Sequence, residues 1–95
     1  MPLSLSHQTA AEFAARFWTR VKVAKDAGDG VEYCRLLYWL TERLNAGDIT
    51  DAQARSSFNA ARGRTLTAGQ WTTLRSSRIT PAHDRYAAML AEGDL

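Results

Sequence analysis

The chain has 95 residues, 45% of them hydrophobic, and a formal net charge of +2. Such a length bounds it to a single domain, residues 1–95, and the apolar share excludes a disordered tail. No apolar run approaches the ~18 residues of a membrane span, MPLSLSHQTAAEF lacks the basic start and apolar stretch of a signal peptide, and a single cysteine, Cys34, excludes an internal disulfide or a thiolate metal cluster. A cytoplasmic protein that does not touch membranes is expected.

Helix signals recur along the chain and nothing alternates at period two, so the expected class is all-α. The first predicted helix, 10–27, opens on Thr9 with Glu12 and closes on Ala27-Gly28-Asp29. Projected at 100° per residue, its apolar stripe is Ala10, Phe13, Phe17, Val21 and Ala24, with Trp18 at the edge beside Lys22 and Lys25. The second, 30–46, starts on Asp29 with Glu32 and stops at Gly47. Its wide apolar face (Tyr33, Leu36, Leu37, Leu40, Thr41, Leu44) suits the centre of a bundle, with Cys34 on the margin. Thr50 with Gln53 opens a third helix, 51–62, and Thr67 with Gln70 a fourth, 68–77. Thr80 followed by Pro81 reads as the cap and first-turn proline of a fifth, 81–92, which ends at Gly93. The expected architecture is a compact single-domain bundle of about five helices, two long and three short.

Charge is unevenly placed. Residues 1–48 balance six Lys/Arg against six Asp/Glu, whereas 52–83 hold five arginines and no acid. That stretch is the main electrostatic feature, and its guanidinium groups are expected to turn outward on one continuous side. Residues 51–78 also carry Ala61, Leu66, Trp71 and Leu74 at spacings where a small residue and three apolar ones would close two helices on each other. On those residues the segment resembles the helix-turn-helix motif over under a third of the chain. It departs from the pattern at the turn, where Thr65 replaces glycine and Gly63 comes two residues early, and at Arg64, where an apolar residue is usual. The resemblance implies a recognition helix containing Thr72, Arg75 and Arg78, with Arg55, Asn59, Arg62 and Arg64 against the phosphate backbone of DNA. Nucleic acid is thus the first expected partner.

A second expectation centres on Trp39, which projects among Glu32, Arg35, Glu42 and Arg43. Tryptophan flanked by arginines one turn away suits a protein–protein contact, whether an adaptor, an inhibitor of a larger cytoplasmic assembly or a homodimer. The alternative is that Met1–Leu5 folds over it. Catalysis has little to stand on: His7 and His83 lack a hydrolase-type arrangement, Cys34 sits in an apolar context, and the aspartates lack the spacing of a calcium loop. No enzyme activity, metal or small-molecule cofactor is expected, and His83 reads as a capping or surface residue.

Overall fold

The computed structural model describes residues 10–93, with side chains from residue 16 onward. Among the described residues there are four helices and no strand. Helix α1 is Ala10–Asp26, α2 is Gly30–Ala46 and α3 is Asp51–Arg62. Helix α4 runs from Ala68–Leu74 through a π-helical turn, Arg75–Ile79, into Thr80–Glu92 without a break. Helix α2 packs against α1 and the C-terminal half of α4, while α3 lies on α1.

The caps expected at Asp29, Thr50 and Thr67 form where the sequence places them, and the one expected at Thr9 lies outside the described residues. Thr50 and Thr67 each accept from the backbone N–H three residues on, and Gln53 and Gln70 reach back to the cap N–H, so both capping boxes are closed. Asp29 Oδ1 accepts from the Glu32 N–H. Gly47, at φ 81°, turns the chain left-handed after α2; its N–H and that of Asp48 return to the Leu44 and Arg43 carbonyls. A side chain there would meet the Cβ–carbonyl clash that glycine avoids.

The expected fifth helix is a correction. Thr80 is helical, at φ −59° and ψ −45°, and does not cap a helix start. Pro81 has no N–H to give the Ser77 carbonyl, and its ring crowds that carbonyl in a regular α-helix. The π turn is the local answer: the Thr80 N–H bonds the Arg75 carbonyl five residues back, and the helix passes the proline by widening instead of stopping. The threonine–proline pair carries the same letters whether it starts a helix or is bridged by one.

The core is built on aromatic rings. Trp18 is another correction: at 2% exposure it is central and not at a polar edge. Its ring meets Phe17, Phe58 and Trp71 edge-on at 4.8, 5.0 and 6.4 Å between centroids. Its indole N–H donates to Ser57 Oγ at 2.9 Å, and that hydroxyl donates to the Ala54 carbonyl at 2.7 Å, so neither buried polar group is left unpaired. Leu37, Leu40 and Ala54 fill the space between helices. Cys34 is buried with them as a free thiol, and Thr41 is accommodated by donating to the Leu37 carbonyl. Ala10 and Phe13 belong to the part of α1 whose side chains lie outside the described residues, and the segment Met1–Leu5, the alternative cover for Trp39, also lies outside them.

Candidate functional site

The arginines of the acid-free stretch do not share one surface. Arg75 is half-buried: its Nη1 donates to both carboxylate oxygens of Asp51 at 3.0 Å, and its Nη2 lies 3.5 Å from Asn45 Oδ1. The same Asp51 oxygen accepts the Trp71 indole N–H at 2.9 Å. Asp51 lies just outside the acid-free window, in the first turn of α3 and one helix away in space. Arg75, one of the five arginines given to nucleic acid by sequence pattern, is therefore already paired.

Asn59 also has a structural task. Its amide accepts from the Leu66 N–H at 3.0 Å and donates to the Leu66 carbonyl at 3.2 Å, which fixes the loop between α3 and α4. Arg64 is exposed in that loop. Arg55 and Thr72 line a groove of about 160 Å³ between the start of α3 and the start of α4, with Asp51 and Trp71 among their neighbours. The Thr72 hydroxyl donates to the Ala68 carbonyl, so its proton is used inside the helix. Ala61, assigned by spacing to the inner side of α3, is exposed; Ala54, two turns earlier on the same face, is the fully buried small residue.

Arg62 and Arg78 do converge, and a third cation joins them. A groove of about 100 Å³ opens where α1, α2, α3 and α4 meet. Lys25 from the last turn of α1, Arg62 from the last turn of α3 and Arg78 from the π turn of α4 line it, over Leu37, Phe58 and Leu74. No carboxylate lines this groove, and among the described residues none of the three cations forms an ion pair with an acid. Arg62 is held in place: its Nη2 donates to the Trp18 carbonyl at 3.3 Å, and its guanidinium carbon lies 5.5 Å from the Phe58 ring centre. Lys25 and Arg78 are exposed.

Tyr33 completes the groove from the first turn of α2. Sequence pattern selects neither Lys25 nor Tyr33 for a binding site. The available signal is the tight turn Ala27-Gly28-Asp29, which sets the last turn of α1 beside the first turn of α2.

Around Trp39 the surface is different. The ring is half-buried and packs on Phe17 at 5.5 Å between centroids. Arg35 Nε donates to Glu32 Oε1 at 2.6 Å, and Arg20 reaches the other oxygen at 3.3 Å. The hydrogen bond from Arg35 leads the causes that hold the Glu32 carboxyl below its ordinary range, against the opposing effect of burial; the positive charges of Arg35 and Arg20 add to it. Arg43 pairs with Asp48 at 3.2 Å. Both arginines expected to flank a partner are thus engaged by carboxylates of their own neighbourhood.

His83 neither caps a helix nor stands alone on the surface. It bridges Glu42 of α2 (Nε2, 2.9 Å) and Asp84 (Nδ1, 3.0 Å), stacked on Tyr38 with ring centres 4.9 Å apart and planes 9° from parallel. Burial on its own lowers the imidazole pKa, but the hydrogen bonds and charges of Asp84 and Glu42 outweigh it, and the net shift is upward. Only the imidazolium can donate to both carboxylates at once. A folded-state pKa above the unfolded value means that this stabilisation is complete below about pH 6.5 and fades as pH rises through the folded pKa. The melting temperature of wild type should therefore exceed that of His83→Gln by more at pH 5.5 than at pH 8.5. An equal gap at both values contradicts the bridge.

No group of three or more His, Cys, Asp or Glu residues suited to a metal ion occurs among the described residues, and no described helix is long and apolar enough to cross a membrane. No protein-family model matches the chain, and no curated protein or solved structure matches it either.

Proposed function

We propose that this chain is a small, non-enzymatic nucleic-acid-binding protein whose contact surface is centred on Lys25, Arg62 and Arg78, with Arg55 and Arg64 as outlying contacts. The observation that carries this reading is the convergence of three cations from three helices on one groove without a carboxylate in its lining. Cations lining one groove with no acid in that lining raise the local positive potential. An arriving polyanion meets that potential and releases its condensed counterions. Guanidinium groups also match phosphate oxygens with a planar fork.

The helix-turn-helix reading is narrower than this proposal requires. Arg75 enters the contact only by leaving Asp51, and Asn59 only by releasing the loop. Phosphates are met by the Lys25, Arg62 and Arg78 groove, whereas Ala68 and Thr72 of α4's first turns line the separate groove beside Arg55. Electrophoretic mobility shift on mixed duplex and single-stranded DNA and RNA is the direct test. A retarded band at low salt is expected, and its absence for every nucleic acid would end the proposal.

A further inference from the structure

Among the described residues one aromatic ring stands apart. Phe17, Trp18, Tyr38, Trp39, Phe58, Trp71 and Tyr86 each lie against another ring, His83 included. Tyr33 does not: among the described residues its ring has no aromatic partner and its hydroxyl no hydrogen bond. It is half-buried and lines the groove that Lys25, Arg62 and Arg78 surround. Among the described rings, the one not packed on another borders the cationic groove.

From that juxtaposition we propose that the groove takes single-stranded nucleic acid, with one unpaired base stacked on Tyr33 and the adjoining phosphates held by Arg78, Lys25 and Arg62. This rests on the nucleic-acid reading above and adds to it the strand state. The floor is apolar, with Leu37, Phe58 and Leu74, so a ring that enters it is desolvated against carbon. The opening, about 100 Å³, is well below the ~300 Å³ at which drug-sized ligands are enclosed, which suits insertion of one ring while the rest of the ligand stays outside. A duplex keeps its bases paired and stacked and offers the groove only its backbone. The opposite face of Phe58 is not available for the same role, because Arg62 lies over that ring and Trp18 meets it edge-on. Bases of any identity have a π face, so the proposed contact is tolerant of sequence.

The test compares four probes at one ionic strength: a labelled dT12 strand, a 12-base-pair duplex, a 12-mer of abasic phosphodiester units, and thymidine 5′-monophosphate. Stacking of one base contributes on the order of 1–3 kcal/mol, which is about fivefold to 150-fold in affinity. The dT12 strand should bind roughly tenfold tighter than the duplex and the abasic strand, and far tighter than the mononucleotide. Tyr33→Leu should lower dT12 binding to the level of the abasic strand and leave duplex binding unchanged; Tyr33→Phe should retain the preference. Equal binding of dT12 and the abasic strand by wild type overturns the inference while leaving nucleic-acid binding intact. Mononucleotide binding as tight as dT12 overturns it in favour of a small phosphorylated ligand. Binding to none of the probes removes both readings together. The wild-type comparison of base-bearing and abasic strands decides the matter even if a Tyr33 variant folds poorly.

Discussion

Replacing Trp71 with alanine should cost the domain about 3–5 kcal/mol and lower its thermal midpoint by roughly 15 °C or more. Trp71 is 2% exposed and joins the start of α4 to the aromatic core, with ring centres 6.4 Å from Trp18 and 6.2 Å from Phe58. It also donates its indole N–H to Asp51, and Asp51 in turn holds Arg75. Truncation therefore opens a cavity between α3 and α4 and removes one of the two donors that fix the Asp51 carboxylate. Against a total of about 5–15 kcal/mol for a domain, that loss takes up much of the margin. Trp71→Phe separates the two contributions: it keeps most of the ring volume and gives up the donor, and should cost no more than about half as much. Circular dichroism melts of the three proteins read the order directly. A Trp71→Ala protein within about 1 kcal/mol of wild type would show that the α3–α4 junction does not depend on this ring.

The double variant Lys25→Glu, Arg78→Glu should abolish nucleic-acid binding while leaving the fold intact. Both side chains are exposed and neither holds an ion pair among the described residues, so the stability change should stay within about 0.5 kcal/mol. In the complex, two attractions to phosphate become two repulsions. At roughly 1–2 kcal/mol for each site, affinity should fall about 100-fold or more. Arg62 is left unchanged in this variant because it also braces the Trp18 carbonyl, and its loss would mix folding with binding. The matched control is Arg75→Gln. Arg75 is committed to Asp51, so this change should alter binding far less than either reversal, despite its place on the helix that sequence pattern selects. Equal losses from Arg75→Gln and from the double reversal would return the recognition-helix reading to first place.

Much of this fold is written locally. The threonine–glutamine caps at Thr50 and Thr67 and the glycine stops at Gly47 and Gly93 act within a turn of the chain, and the helices begin and end on them. The broad apolar face of α2 is equally local, because a period of 3.6 residues is visible without knowing what packs on it. What fails to show is what depends on a second helix. Trp18 lies near lysines in helical projection, yet its indole N–H finds Ser57, 39 residues on, and that hydroxyl makes burial affordable. Pro81 marks a helix start by rule, but the π turn ahead of it lets α4 continue.

The site divides along the same line. Arg62 and Arg78 could be named from the charge pattern because an acid-free stretch is a property of the chain. That Arg75 is neutralised could not, since Asp51 is 24 residues away and outside the window. Lys25 and Tyr33 were hidden for the opposite reason: each reads as an ordinary member of its own helix, a polar edge and a core face, and the groove exists only once α1, α2, α3 and α4 have met.

The most direct test of the cationic groove is the salt dependence of binding. Three neutralised phosphates on a single strand correspond to a slope of about −2 in a plot of log affinity against log salt concentration, from roughly −0.7 per phosphate. Wild type titrated with dT12 between low and moderate salt should show a slope of about −2 or steeper, and Arg78→Gln should lose close to one phosphate's share of it. A slope near zero, or one unchanged by Arg78→Gln, would contradict the assignment of Lys25, Arg62 and Arg78 as the polyanion contact.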